Sequence, residues 1–250
     1  MAVTIGSARS DERGKITGGS AGDQNSGKEV STQNYYVHSK GWRVLRAKDA
    51  ARRKLIAQAM KAACTNNKIG YDQNQRNTLY NLAAKVDFDP SKVTTACETD
   101  CSALVRVCCA FAGIKVNDFN TSTEAKVLLA SGAFTELTGD KYTKKSDYLM
   151  AGDVLVTKTK GHTVIVLSDG AKAEKEDAAQ SVEPAKAAGK QVVVTGDKVN
   201  IRTGPSTSYT IIHTADKGEK FPVVEAGNWR PIKYGGHVYW ISGNYSKVEG

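Results

Sequence analysis

No apolar run in this chain is long enough to cross a bilayer or to serve as the core of a secretory leader, so no membrane partner is expected. The opening residues Met1-Ala2-Val3-Thr4-Ile5-Gly6-Ser7 read as those of a protein made in the cytoplasm without a signal peptide. Large apolar residues are missing from Ala171 to about Gly189, where Ala, Lys and Glu surround a single Pro184, so that stretch reads as a linker outside either core. Five cysteines, two of them adjacent, are too few and too irregularly placed for a disulfide framework in a chain of this length. Cys97 and Cys101 could be half of a metal site, but no second pair of suitably spaced ligands follows, and no metal or other cofactor is expected. Acidic residues are the minority charge: 35 Lys and Arg against 26 Asp and Glu leave a net charge of +9. Such an excess suits nucleic acid, anionic wall polymers or an anionic membrane surface. Its one concentration, Arg43 to Lys54, opens an amphipathic pattern with Leu55, Ile56, Met60, Ala63 and Cys64 inward. A solvated helix face explains it, and with no accompanying motif no nucleic acid is expected as partner.

Apolar residues make up 40% of the chain, enough for one medium domain and one small one. The most informative stretch is Glu98-Thr99-Asp100-Cys101-Ser102-Ala103-Leu104-Val105, where polar sequence turns into a run that stays apolar or small to Ala112. That pattern predicts a buried helix with Asp100 as its N-cap. Cys101 then lies in the first turn, where unpaired backbone N–H groups and the helix dipole favour a thiolate. Cys64, Cys108 and Cys109 read as core, and the same bland reading is open to Cys101 until a partner is found. Farther on, Gly152 to Gly170 reads as two β-branched strands joined through Lys160-Gly161, with His162 opening the second. A lone histidine there is commonly structural, but a cysteine helix followed by a histidine strand is also the layout in which an imidazole can take a thiol proton.

Asp100-Cys101-Ser102-Ala103-Leu104-Val105, Gly152-Asp153-Val154-Leu155 and Gly161-His162-Thr163-Val164-Ile165-Val166 together resemble the motifs of the NlpC-type papain-like cell-wall peptidases. The resemblance implies an α+β fold, helices packed on a small antiparallel sheet, and a cysteine peptidase acting on peptidoglycan stem peptides. It also implies a tyrosine that helps line the oxyanion site, for which Tyr71 is the nearest match, and a polar residue that orients the histidine from the following strand. Ser168-Asp169-Gly170 and a linker occupy that place here. Either Asp169 serves, or the N-terminal segment supplies the strand, with Asp23, Gln24 and Glu29 as candidates; the second reading is favoured because domain termini are commonly close in space. Two other functions share these features: a CHAP-like cysteine amidase, and a non-enzymatic wall-binding protein in which the cysteine helix is only core. An enzyme of this kind without a leader would act at the wall after release at host lysis.

By composition alone, residues 1 to about 28 read as a disordered tail. Extended segments are predicted at 29–37 and 42–45 and helices at about 49–65 and 74–86; Thr121-Ser122-Thr123-Glu124 reads as a capping box for a helix ending near Gly132. A linker is expected at 171–191, dividing a catalytic domain, 1–170, from a C-terminal one, 192–250. In the latter, short strands alternate with turn signals at Gly204-Pro205, Lys217-Gly218, Gly227-Asn228 and Gly235-Gly236, the pattern of a small all-β barrel. Val199-Asn200-Ile201-Arg202-Thr203-Gly204-Pro205-Ser206 and Val238-Tyr239-Trp240-Ile241 resemble the bacterial SH3-like domain, which implies binding to bacterial peptidoglycan. Trp229, Tyr234, Tyr239 and Trp240 are its candidate contacts, core packing being the alternative role of each. His213 and His237 read as surface residues.

Overall fold

The computed structural model describes residues 2–24, 27–173 and 190–249, apart from 203, 206, 208, 210, 224–228 and 235–236, and apart from the side chains of 212 and 237. The chain divides into two compact units, Met1–Glu176 and Asp177–Gly250. Most of the expected linker, and the turns expected at Gly227-Asn228 and Gly235-Gly236, lie outside the described residues.

The first unit runs β1 (Thr4–Ala8), β2 (Val30–Asn34), β3 (Trp42–Ala47), α1 (Ala50–Thr65), β4 (Ile69–Tyr71), α2 (Thr78–Ala83), β5 (Cys97–Thr99), α3 (Cys101–Phe111), α4 (Glu124–Ala130), β6 (Phe134–Leu137), α5 (Asp140–Thr143), β7 (Val154–Thr157) and β8 (Thr163–Val166). Six strands form one antiparallel sheet in the order β2-β1-β8-β7-β3-β6, and β4 and β5 form a small parallel pair. Period-two alternation sends Val3, Ile5, Trp42, Val44, Leu155, Val164 and Val166 into one core layer, joined by Leu137, Tyr142 and Leu149. The sheet's other face receives α1 and α3. Gly6 lets them close in, since a Cβ there would stand 2.6 Å from Met60 Cγ on α1.

Thr4–Ala8 is therefore an inner strand of the sheet: the disordered tail read from composition is corrected, whereas the expectation that the N-terminal segment supplies the strand next to the histidine strand holds. The segment Thr4-Ile5-Gly6-Ser7-Ala8 is too short to show a period in a polar neighbourhood, yet β2 and β8 pair with it on both sides. The basic stretch also reads differently in three dimensions. Arg43 and Arg46 belong to β3, ahead of α1; Arg43 pairs with Glu136 on β6 at 2.7 Å, and Arg46 is buried with Asp153. Arg46 Nε and Nη2 reach the two carboxylate oxygens of Asp153 at 2.8 and 2.7 Å, and Asp153 also accepts the Met150 N–H. Gly152, at φ +94°, turns the chain into this pair, and a side chain there would overlap the Arg53 carbonyl. Asp49 caps α1 and Asp100 caps α3, as their sequences predict. The expected helix at 74–86 is shorter, α2 continuing into a 3-10 turn at Ala84–Val86. The capping box at Thr121 does not form: Thr123 precedes α4 without a side-chain cap, and Glu124 is drawn inward instead.

The second unit holds β9 (Gln191–Val194), β10 (Val199–Arg202), β11 (Ile211–Ala215), β12 (Lys220–Pro222), β13 (Trp229–Tyr234), β14 (His237–Ser242) and β15 (Ser246–Glu249). They form antiparallel sheets ordered β11-β10-β14-β13 and β12-β9-β15, which enclose Val192, Val194, Ile201, Phe221, Ile232 and Ile241. The closing strand β15 was not read from the sequence, because Ser246-Lys247-Val248-Glu249 has a single apolar residue to mark it.

Candidate functional site

Cys101 is the first residue of α3, placed there by Asp100. Asp100 Oδ1 accepts the Ala103 N–H at 2.6 Å and the Ser102 hydroxyl at 2.8 Å, which satisfies one of the helix's otherwise unpaired N–H groups. Arg76 locks the cap from outside: its Nε lies 2.6 Å from Asp100 Oδ2, its Nη1 pairs with Asp118, and its Nη2 reaches Ser102 Oγ. The thiol is buried, and that burial, with the carboxyl groups of Asp100 and Glu124 nearby, pushes it up to about 12. Hydrogen bonds from the Thr163 and Ser102 backbones to the sulfur act the other way and do not overcome that burial. In the resting structure Cys101 is a neutral thiol.

The Thr163 contact brings the first turn of α3 to the start of β8, and His162 is the residue just before that strand. The turn ahead of it is pinned by Thr157 Oγ1, which accepts the His162 N–H at 3.0 Å. His162 Nε2 lies 3.2 Å from Ser7 Oγ on β1. Burial, with His38 and Arg9 nearby, lowers the imidazole from 6.5 to about 4, so it is neutral at physiological pH. Tyr36, His38 and Trp42 form a cluster of rings with centroids 5.2 to 6.0 Å apart beside this pair, and Tyr36 and Val37 are exposed there.

Tyr71 ends β4 beside this helix start, close enough to feel the charge of Cys101 and pushed up to about 12 by burial. Gln73 Nε2 donates to its oxygen at 3.0 Å, which leaves the phenol proton available to another acceptor. Asp23, Gln24 and Glu29 have hydrogen-bond partners of their own in the N-terminal segment and at β4. Gln24 Nε2 is spent on the carbonyls of Ala21 and Gly22, Asp23 accepts the Gly27 N–H, and buried Glu29 accepts the N–H groups of Tyr71 and Gln24. Asp169 accepts the Ala151 N–H at 2.7 Å and closes the turn before β7. Among the described residues, the side chain hydrogen-bonded to the imidazole is Ser7. Ser7 and Arg76 carry no sequence signal, because a serine or an arginine in isolation makes no motif, and Glu124 and Thr163 stand in motifs that assign them other tasks; what brings Ser7 to the site is the pairing of β1 with β8, which is tertiary.

In the second unit Tyr234 is 36% exposed and stacks on His213 at 4.6 Å, with Phe221 and Tyr239 edge-on to it. Trp229 is half-buried. Trp240, only 2% exposed, is part of the core and has no free face to offer, a correction to its expected contact role. His213 is a partly exposed surface residue, whereas the side chain of His237 lies outside the described residues.

Residues 5–173, well over half of the chain, match the family model described as an endolysin-like domain. Residues 197–247 match the model of the bacterial SH3 domain. No curated protein matches the chain.

Proposed function

Because the chain belongs to the endolysin-like domain family, we propose that it is a peptidoglycan hydrolase that cleaves stem peptides by a Cys101–His162 mechanism, targeted by its C-terminal module. The observation that carries this reading is the meeting of the α3 start with the β8 start: the Cys101 sulfur accepts the Thr163 N–H, one residue from an imidazole whose Nε2 lies against Ser7. If Ser7 Oγ accepts the Nε2 proton, Nδ1 keeps the lone pair that a general base needs. A neutral thiol and a neutral imidazole then make proton transfer part of the attack on the substrate carbonyl, and no ion pair exists beforehand. The Tyr71 hydroxyl and the first N–H groups of α3 are the donors suited to the oxyanion that forms. In this reading Asp23, Gln24, Glu29 and Asp169 hold loops and turns rather than the imidazole. The experiment is digestion of purified walls followed by mass spectrometry of the fragments. New amino groups within the stem peptide support an endopeptidase; intact stem peptides freed from glycan mean an amidase, and no fragments mean a binding protein only.

Two expected results follow from this assignment. The acid limb of kcat/KM should be set by His162 and so fall with a midpoint near about 4, well below the ordinary 6.5, because burial disfavours the imidazolium that stops the base from working. A pH–rate series on purified walls checks it: a midpoint at the ordinary histidine value would show that the working imidazole is not desolvated as in the resting structure, and a His162→Ala protein with retained activity would remove His162 as the base. Residues 1–176 alone should remain active on soluble fragments but digest whole walls more slowly, because tethering raises local substrate concentration without adding a catalytic contact. Unit 2 alone should sediment with walls at low salt, and its staying in the supernatant would rule out its targeting role.

A further inference from the structure

Glu124 opens α4, is completely buried, and is a charge-bearing group that the mechanism above does not use. Its Oε1 lies 2.7 Å from Thr163 Oγ1, and that hydroxyl also lies 3.1 Å from the Leu155 carbonyl oxygen on β7. A hydroxyl has one proton to give. If it goes to a Glu124 carboxylate, the contact with Leu155 becomes one between two oxygen atoms without a hydrogen. If Glu124 carries the proton and donates it to Thr163 Oγ1, the threonine donates onward to Leu155 and both contacts are hydrogen bonds. The surroundings favour the second arrangement. Among the described residues Oε2 has no partner and no cation pairs with the carboxyl. The groups that act on it or feel its charge are Asp100 and Cys101 at the start of α3 and Cys109 farther along that helix, all acidic or weakly acidic. The arginines of β3, the strand packed against α4 together with β6, are committed elsewhere: Arg43 to Glu136 and Arg46 to Asp153.

We propose that Glu124 is held as a neutral acid and is the positioning residue of the Cys101–His162 pair, clamping Thr163 and the start of β8 against the cysteine, and that its ionisation switches the site off. The proposal rests on the cysteine mechanism above and adds a regulatory group to it. Losing the proton has two effects on the same site. Thr163 must turn its hydroxyl toward the new carboxylate and release Leu155, which loosens the strand that carries the imidazole. A full negative charge also arrives near a sulfur that has to become a thiolate during attack. Both lower activity in the alkaline range, since burial raises Glu124 to about 8.

The test compares the full-length protein with Glu124→Ala and Glu124→Gln across the neutral and alkaline range on purified walls. Glu124→Ala should lose at least about tenfold in kcat/KM at neutral pH, and Glu124→Gln should recover most of that loss, because its amide N–H can donate to Thr163 in the same direction. The wild type should lose activity with a midpoint near about 8, and the glutamine variant, which has no proton to lose there, should carry its activity at least about one pH unit higher. An alkaline limb that coincides in the two proteins overturns the proposal, as does an alanine variant with full activity. Infrared spectroscopy tests the protonation state independently of turnover. In the Cys101→Ala background, the difference spectrum with and without Glu124→Gln should contain a neutral carboxylic acid band at neutral pH that titrates away near about 8, distinct from any band of Glu98, which is raised to about 7. Absence of that band refutes the neutral acid. A lytic Cys101→Ala protein would instead sink the cysteine mechanism, and the infrared result would stand apart from it.

Discussion

Cys101→Ala should leave wall digestion at background while the protein keeps its fold and its melting temperature within a few degrees. In the proposed mechanism the thiol is the group that attacks, and methyl cannot replace it; at the same time a small buried side chain is exchanged for another, which is a minor packing change. Cys101→Ser should be nearly as inactive, because a hydroxyl with a single imidazole as base is a far weaker nucleophile than a thiol. The contrast lies in the other buried cysteines. Cys108 and Cys109, fully buried in the same helix, should on replacement by alanine cost about 1 to 3 kcal/mol of stability and spare turnover per folded molecule. Loss of turbidity of a wall suspension and thermal unfolding followed by circular dichroism separate the two outcomes. Undiminished lysis by Cys101→Ala would end the cysteine-hydrolase reading.

Asp153→Ala should be the most damaging single change to stability in the first unit, costing about 3 to 5 kcal/mol, because it leaves the Arg46 guanidinium buried without its carboxylate. Against a total stability of about 5 to 15 kcal/mol for a domain, that removes between about a fifth and all of the margin. The same carboxylate also receives the Met150 N–H, so the turn into β7 loses its anchor together with the ion pair. Activity falls here through loss of folded protein: specific activity of the remaining native fraction should be close to wild type at low temperature. Denaturant unfolding measures the effect. A midpoint unchanged from wild type would show that the pair contributes nothing, as it does in exposed ion pairs. Arg43→Ala provides that comparison, since Arg43 and Glu136 are both partly solvated and their loss should cost about 1 kcal/mol or less.

The Gly152-Asp153 motif illustrates the limits of reading by pattern. Its position ahead of a strand was legible, but the motif's physical task, a glycine at positive φ delivering a buried carboxylate to an arginine far away in sequence, was not. The basic run that looked like one solvated helix face is split by the fold into a strand arginine in the core, a strand arginine in a surface pair, and a helix. Charge type can be read from the sequence; the dielectric around each charge depends on which segments cover it.

The sequence by itself determined what depends on neighbours within a few residues. Asp100 ahead of an apolar run makes an N-cap and sets Cys101 in the first helical turn, and β-branched runs on either side of Lys160-Gly161 make the β7–β8 hairpin that presents His162. Alternation and turn residues in the last sixty residues likewise mark most strands of a small β unit. Only the tertiary structure decided which groups stand around the cysteine and histidine. Ser7 reaches His162 because β1 is an inner strand beside β8, and that pairing depends on a burial no five-residue window contains. Glu124 is drawn away from an exposed capping role because the space over Thr163 lies at the junction of α4 and the sheet. Hydrogen-bond partners contributed by strands and helices distant in sequence, and the desolvation that shifts their proton affinities, are properties of the packed whole, so local residue order specifies the pieces and their packing specifies the chemistry.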